Sequence, residues 1–229
     1  MKKSFLSRFL VTATGLLLPA FSSLAQNHSV PVLAVEYPPF TSIDMENNGI
    51  AFRLLREKLQ NCSTQVEPLI VPPARAHTWI QDNNWCASFY PPLAGDVSTN
   101  FYRLSDGEVI IGLARIRKQG HFSLNDRQLT TGKSVAVLRP SSKGEIHQQL
   151  IMRGLKLVYI ESLNQGFSLL QLGRVDFVMA DKVSAALAEK TNPGLNLQLA
   201  AEPLLHTPVG IYLNPGCPQY ERLHACLKQ

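Results

Sequence analysis

From Val30 onward, short runs rich in Val, Ile and Leu alternate with apolar positions at helical spacing, and proline or glycine stands at many of the junctions. A chain written in this way buries its strands between helices, so the expected class is α/β. The first strand, "VPVLAVEY" (30–37), stops at Pro38-Pro39, because proline cannot continue a ladder. Ile50, Leu54, Leu55 and Leu59 then predict a helix over about 49–59. "QVEPLIV" (65–71) reads as a strand ended by Pro72-Pro73, and Pro73 is suited to start a helix over 74–81. "WCASFY" (85–90) is a third strand, 91–104 reads as a loop, and "GEVIIGLARIRK" (107–118) reads as a long strand or a pair. The second half repeats the rhythm, with strands at 133–139, 156–161, 175–180, 195–202 and 208–214 and helices at 142–153, 163–172, 181–190 and from Pro218 on. Two βα-rich halves of about a hundred residues each match ordinary domain sizes.

The first 25 residues belong to a different grammar. Lys2, Lys3 and Arg8 precede a short apolar run, Phe9 to Ala20, and Ser23-Leu24-Ala25 has the small-x-small form that signal peptidase cuts after. The run is shorter than the ~20 residues that span a bilayer. The expectation is therefore an exported protein cleaved after Ala25 and resident in the periplasm. Of 229 residues, 204 would remain, and the net charge of +5 would fall to +2, since the removed segment carries three basic residues and no acid. That balance gives no support to nucleic-acid binding.

Export also sets the reading of Cys62, Cys86, Cys217 and Cys226, an even number in a compartment that permits disulfides. Three pairings are open. Proximity in sequence suggests Cys62 with Cys86 and Cys217 with Cys226. The second pair requires Cys217 to lie in the loop before Pro218 and fold back, because ten helical residues would hold the two Cα atoms about 13 Å apart. No CxxC and no His-Cys cluster at ligand spacing is present, so neither a metal nor another cofactor is implied. "TGKS" (131–134) lacks the preceding glycine of a phosphate loop and leads into a strand.

Four strings carry a resemblance. "VLAVEYPPFTSIDMENNGIAFRLLREKL", "LTTGKSVAVLRPSS", "LLQLGRVDFVMAD" and "TPVGIYLNPGCPQYERLHACLK" resemble, in order and spacing, the type II periplasmic solute-binding proteins, in particular the polar amino acid-binding family (extracellular solute-binding family 3). The resemblance implies a two-lobed α/β fold, each lobe a sheet flanked by helices, with a hinge between them. Lobe 1 would comprise 26–113 and 205–229, and lobe 2 would comprise 114–204. It further implies a monomer that closes on a small polar, amino acid-like solute and presents it to an ABC permease or a membrane sensor.

Candidate ligand-binding residues follow from where the strings meet the chemistry. Tyr37 and Phe40 flank a stiff Pro-Pro turn at the end of the first strand, where a ring can lie against a ligand. Ser141 and Ser142 open a helix, whose free N–H groups suit a carboxylate or need only a cap. Asp181 ends a strand and starts a helix, so it can receive a ligand ammonium or cap the helix; Asp176 is expected to be structural. The family's Thr-x-x-Arg, whose Arg pairs with a carboxylate, appears here one residue too long, as Thr99-Asn100-Phe101-Tyr102-Arg103, and Cys86 stands where its "G-x-x-D" carboxylate is expected. Arg103 is the cleft cation if the loop adjusts, and Arg75 is the substitute. Two other functions remain in view: an enzyme on the same fold resembling the cyclohexadienyl dehydratases, with Glu36 or Glu161 as the acid, and a binding module serving a protein partner.

Overall fold

The computed structural model describes residues 28–91, 100–139 and 144–228. Among them lie nine strands: β1 (His28–Ala34), β2 (Thr64–Ile70), β3 (Ala87–Ser88), β4 (Phe101–Ile116), β5 (Ser134–Leu138), β6 (Lys156–Ile160), β7 (Phe177–Asp181), β8 (Leu197–Leu199) and β9 (Leu205–Leu213). The helices are α1 (Ile50–Lys58), α2 (Pro73–Gln81), the single turn α3 (Arg127–Thr130), α4 (Glu145–Met152), α5 (Leu163–Gln171), α6 (Lys182–Thr191) and α7 (Tyr220–Leu227). The expected signal segment lies outside the described residues. No described helix is long and apolar enough to cross a membrane.

The strands form one mixed sheet in the order β2-β1-β3-β9-β4-β7-β5-β6, with β8 also on β4. Parallel pairs occupy its two ends, β2-β1-β3 and β7-β5-β6, and antiparallel β9 and β4 join them. The 16-residue β4 makes that join. It pairs with β9 at 101–103 and 108–111, then with β7 at 111–114. A bulge between Arg103 and Glu108 sets residues 104–107 against Val209 alone.

Both parallel ends are buried on two faces, which accounts for their continuous apolar runs. In β1, Val30, Val32 and Ala34 point into a core with Phe52, Leu55, Ile211 and Leu213, while Leu33 points into a second with Ala76 and Ile80. In β5, Val135 and Val137 join Leu113, Phe122 and Leu150, and Ala136 faces Phe167 and Val178. Helix α5 buries Leu163, Gly166, Phe167 and Leu170, one stripe at helical spacing. A side chain at Gly166 would sit 2.7 Å from Ile160 Cδ1, so glycine is what lets α5 press onto the sheet.

Three expectations are corrected. The segment read as a loop to residue 104 is already strand from Phe101, because β9 supplies a ladder there. The strand at 85–90 contracts to Ala87–Ser88. The disulfides are Cys62–Cys226 and Cys86–Cys217, with Cα separations of 6.4 and 5.1 Å. Cys62 and Cys86 precede strands on opposite sides of β1, about 10 Å apart laterally at ~4.8 Å per strand, too far to join. Cys226 lies in the last turns of α7, whereas Cys217 precedes that helix. Both bridges instead bind the C-terminal segment to the β1 end of the sheet.

Candidate functional site

The loop after β1 is fixed by its own backbone. Tyr37 and Thr41 form a bridge, and Thr41 Oγ1 donates to Val35 O at 2.7 Å. The Pro38-Pro39 peptide is cis. The carbonyls of Pro39 and Phe40 accept from Ile50 N–H and Ala51 N–H, satisfying amides at the start of α1 that have no partner within the helix. That contact needs Gly49, whose φ of +97° favours glycine and whose added Cβ would lie 2.6 Å from Phe40 O.

This loop forms one wall of a cavity of about 380 Å³. Val35, Tyr37, Phe40 and Thr41 line it from beyond β1, Phe89, Tyr90 and Pro91 from beyond β3, and Leu138 from the end of β5. β4 contributes Phe101, Val109 and Ile111; β9 contributes residues from Leu205 to Tyr212. The cavity therefore sits outside the carboxyl ends of parallel strands, where ligands bind in open α/β sheets. Gly210 makes room for the Phe101 ring, which a Cβ there would strike. The Phe101 and Tyr212 rings lie 4.9 Å apart, and those of Tyr37 and Phe40 lie 6.1 Å apart.

Of the expected ligand residues, Tyr37 and Phe40 line the cavity. Arg75 is exposed on α2 and Arg103 is half exposed beside Glu108, 3.7 Å away; neither is among the lining residues. Ser141 and Ser142 lie outside the described residues, as does Thr99. Asp181 is 1% exposed and caps α6, accepting from Val183 N–H at 2.8 Å, Ser184 N–H at 3.0 Å and the Ser184 hydroxyl. Asp176 is structural, accepting from the Ser134 amide and hydroxyl beside Lys133. Burial pushes its pKa up, but the Ser134 hydrogen bonds and the Lys133 ammonium together outweigh burial and hold it below the usual carboxylate range. Neither Glu36 nor Glu161 lines the cavity; Glu161 pairs with Arg139 at 2.8 Å. Among the described residues, no group of three or more His, Cys, Asp or Glu side chains is placed to hold a metal.

Tyr37 joins the loop after β1 to the other end of the sheet. Its ring packs against the cluster built on α5, β7 and α6, and its hydroxyl oxygen is buried beside Asp181 without a well-directed hydrogen bond. Burial first, then the Asp181 carboxylate, raises its pKa well above the ordinary phenol value. Tyr212 is also raised, by burial. Phe89, Tyr90, Phe101 and Tyr212 were not anticipated as lining residues. The aromatic at the end of "WCASFY" and the Gly-x-Tyr of the last strand were the available signals.

The arrangement is the type II periplasmic solute-binding protein fold, two-lobed and α/β. It matches the GluR0 ligand-binding core from Nostoc punctiforme in complex with L-glutamate, with TM-score 0.67 and 15% identity over 87% of this chain and 91% of that one. An ancestral arginine-binding protein bound to arginine matches with TM-score 0.68 and 21% identity over 87% and 91% of the two chains. A protein from Listeria monocytogenes assigned as an L-cystine ABC transporter matches with TM-score 0.65 and 12% identity over 88% and 89%. No protein-family model and no curated protein sequence matches the chain.

Proposed function

We propose that the chain is an exported solute-binding protein that closes on a small molecule in this cavity and delivers it to an ABC permease or a membrane sensor. The observation that carries this is a cavity at the carboxyl ends of β1, β3 and β5, bordered by the two strands that join the sheet's parallel ends, in a fold whose neighbours hold glutamate or arginine. Lobe 1 is assigned to 26–113 and 205–229 and lobe 2 to 114–204, with β4 and β9 as the hinge. The protein acts as a monomer without a cofactor. The N-terminal 25 residues direct it to the periplasm and are removed.

The amino acid-like solute implied by the family resemblance would need partners for its charges, and the described lining has no ionisable group except tyrosine. The test of the general reading is a thermal-shift screen of the purified protein against amino acids, amines, organic acids and neutral aromatics. A ligand at 100-fold its Kd adds about 2.7 kcal/mol, which at ~2–4 °C per kcal/mol for a chain of this size raises Tm by about 5–11 °C. Absence of any shift across that library would overturn it.

A further inference from the structure

We infer that the cavity selects an uncharged, single-ring aromatic solute, which deepens the solute-binding reading and rests on it. No Asp, Glu, Lys, Arg or His is among the described lining residues, whereas both flanking loops and the joining strands contribute rings. A zwitterion enclosed there would find no charged partner for its ammonium or carboxylate among the described lining residues, and an unpaired buried ion costs several kcal/mol. Among the described residues, three charged candidates are engaged elsewhere. Arg103 faces Glu108 and Arg139 pairs with Glu161. Asp181 already accepts from two amides and a hydroxyl at the start of α6.

Size and shape agree with the charge argument. At ~30 Å³ for a water-sized group, 380 Å³ holds about a dozen non-hydrogen atoms, enough for one ring and a short substituent. The tilted ring pairs Tyr37–Phe40 and Phe101–Tyr212 offer apolar faces from separate elements. The Tyr37 hydroxyl is buried beside Asp181 and Ser184, so the ring is what Tyr37 contributes to the cavity wall.

Four probes that share a phenol ring and differ in charge isolate the point: 4-methylphenol (neutral), 4-hydroxyphenylacetate (anion), tyramine (cation) and tyrosine (zwitterion). Titration calorimetry of the purified protein should show 4-methylphenol binding at least 100-fold more tightly than each charged probe. Phe101→Ala should weaken that binding about tenfold, because it removes one ring face. A charged probe binding as tightly as 4-methylphenol would overturn the inference while sustaining the solute-binding reading, as would failure of all four when another library solute binds. An unchanged Kd in Phe101→Ala would overturn the assignment of the ring contact. Failure of the whole library is the separate outcome that removes the general reading.

Discussion

Removing the bridge between Cys62 and Cys226 with the double substitution Cys62→Ser and Cys226→Ser tests the C-terminal architecture directly. The bridge spans 164 residues, and Cys86–Cys217 spans 131. In the chain-entropy description, each constrains the unfolded chain by about 5 kcal/mol, although typical bridges contribute ~2–4 kcal/mol. Helix α7 is the part most exposed to the loss. It has eight residues, too few to stay helical alone, and it docks through Leu223, Cys226 and Leu227 onto the core that holds Phe52, Leu55 and Leu59. At ~2–4 °C per kcal/mol, a loss of 2–4 kcal/mol lowers Tm by about 4–16 °C. Hydrogen exchange should place the earliest opening in α7. Non-reducing proteolysis followed by mass spectrometry should recover peptides joining 62 to 226 and 86 to 217. Recovery of 62–86 and 217–226 peptides would refute the topology, and a Tm change under 1 °C in the double variant would refute the loop argument.

Three further outcomes follow from single residues. Gly49→Ala should cost about 3 kcal/mol or more by denaturant titration, because it adds a contact at 2.6 Å to backbone that only glycine adopts readily; stability unchanged within error would contradict the loop geometry. Gly210→Ala should displace Phe101, lower stability by about 1–3 kcal/mol and weaken solute binding, and calorimetry with no change in affinity would remove Phe101 from the site. His147 is 8% exposed with Nε2 unpartnered, and burial lowers its pKa below 6.5. The unfolded chain therefore binds its proton first as pH drops, so stability is full above about pH 6.5 and declines below it. His147→Gln should flatten that slope, and an identical pH profile would show the imidazole plays no part.

The alternation of strands and helices was legible because it follows from burial. Val135, Ala136 and Val137 are all apolar since β5 has a core on each side, and Leu163, Gly166, Phe167 and Leu170 recur as α5 turns one face to the sheet. The start of β4 was not legible. Phe101 to Arg103 lack a strong strand pattern of their own and become a strand by pairing with Tyr212 to Gly210, more than a hundred residues away. The disulfides escaped for the same reason. Nearness along the chain favoured local pairs, while β1, inserted between β2 and β3, separates Cys62 from Cys86.

The site divides along a similar line. Tyr37 and Phe40 could be placed because a rigid turn at the end of the first strand has one position in such a fold, whereas Phe101 and Tyr212 meet only after β4 and β9 pair. Asp181 shows what position alone leaves open. The same residue at the same strand end can receive an ammonium or cap a helix, and the decision lies in the hydrogen bonds around it. Here one carboxylate oxygen accepts two amides and the other accepts the Ser184 hydroxyl, with the Tyr37 phenol against the pair. Asp181 is 1% exposed, so an incoming ammonium would have to displace the Tyr37 phenol to reach it. A carboxylate so engaged supports the wall of the cavity and leaves its selectivity to the rings.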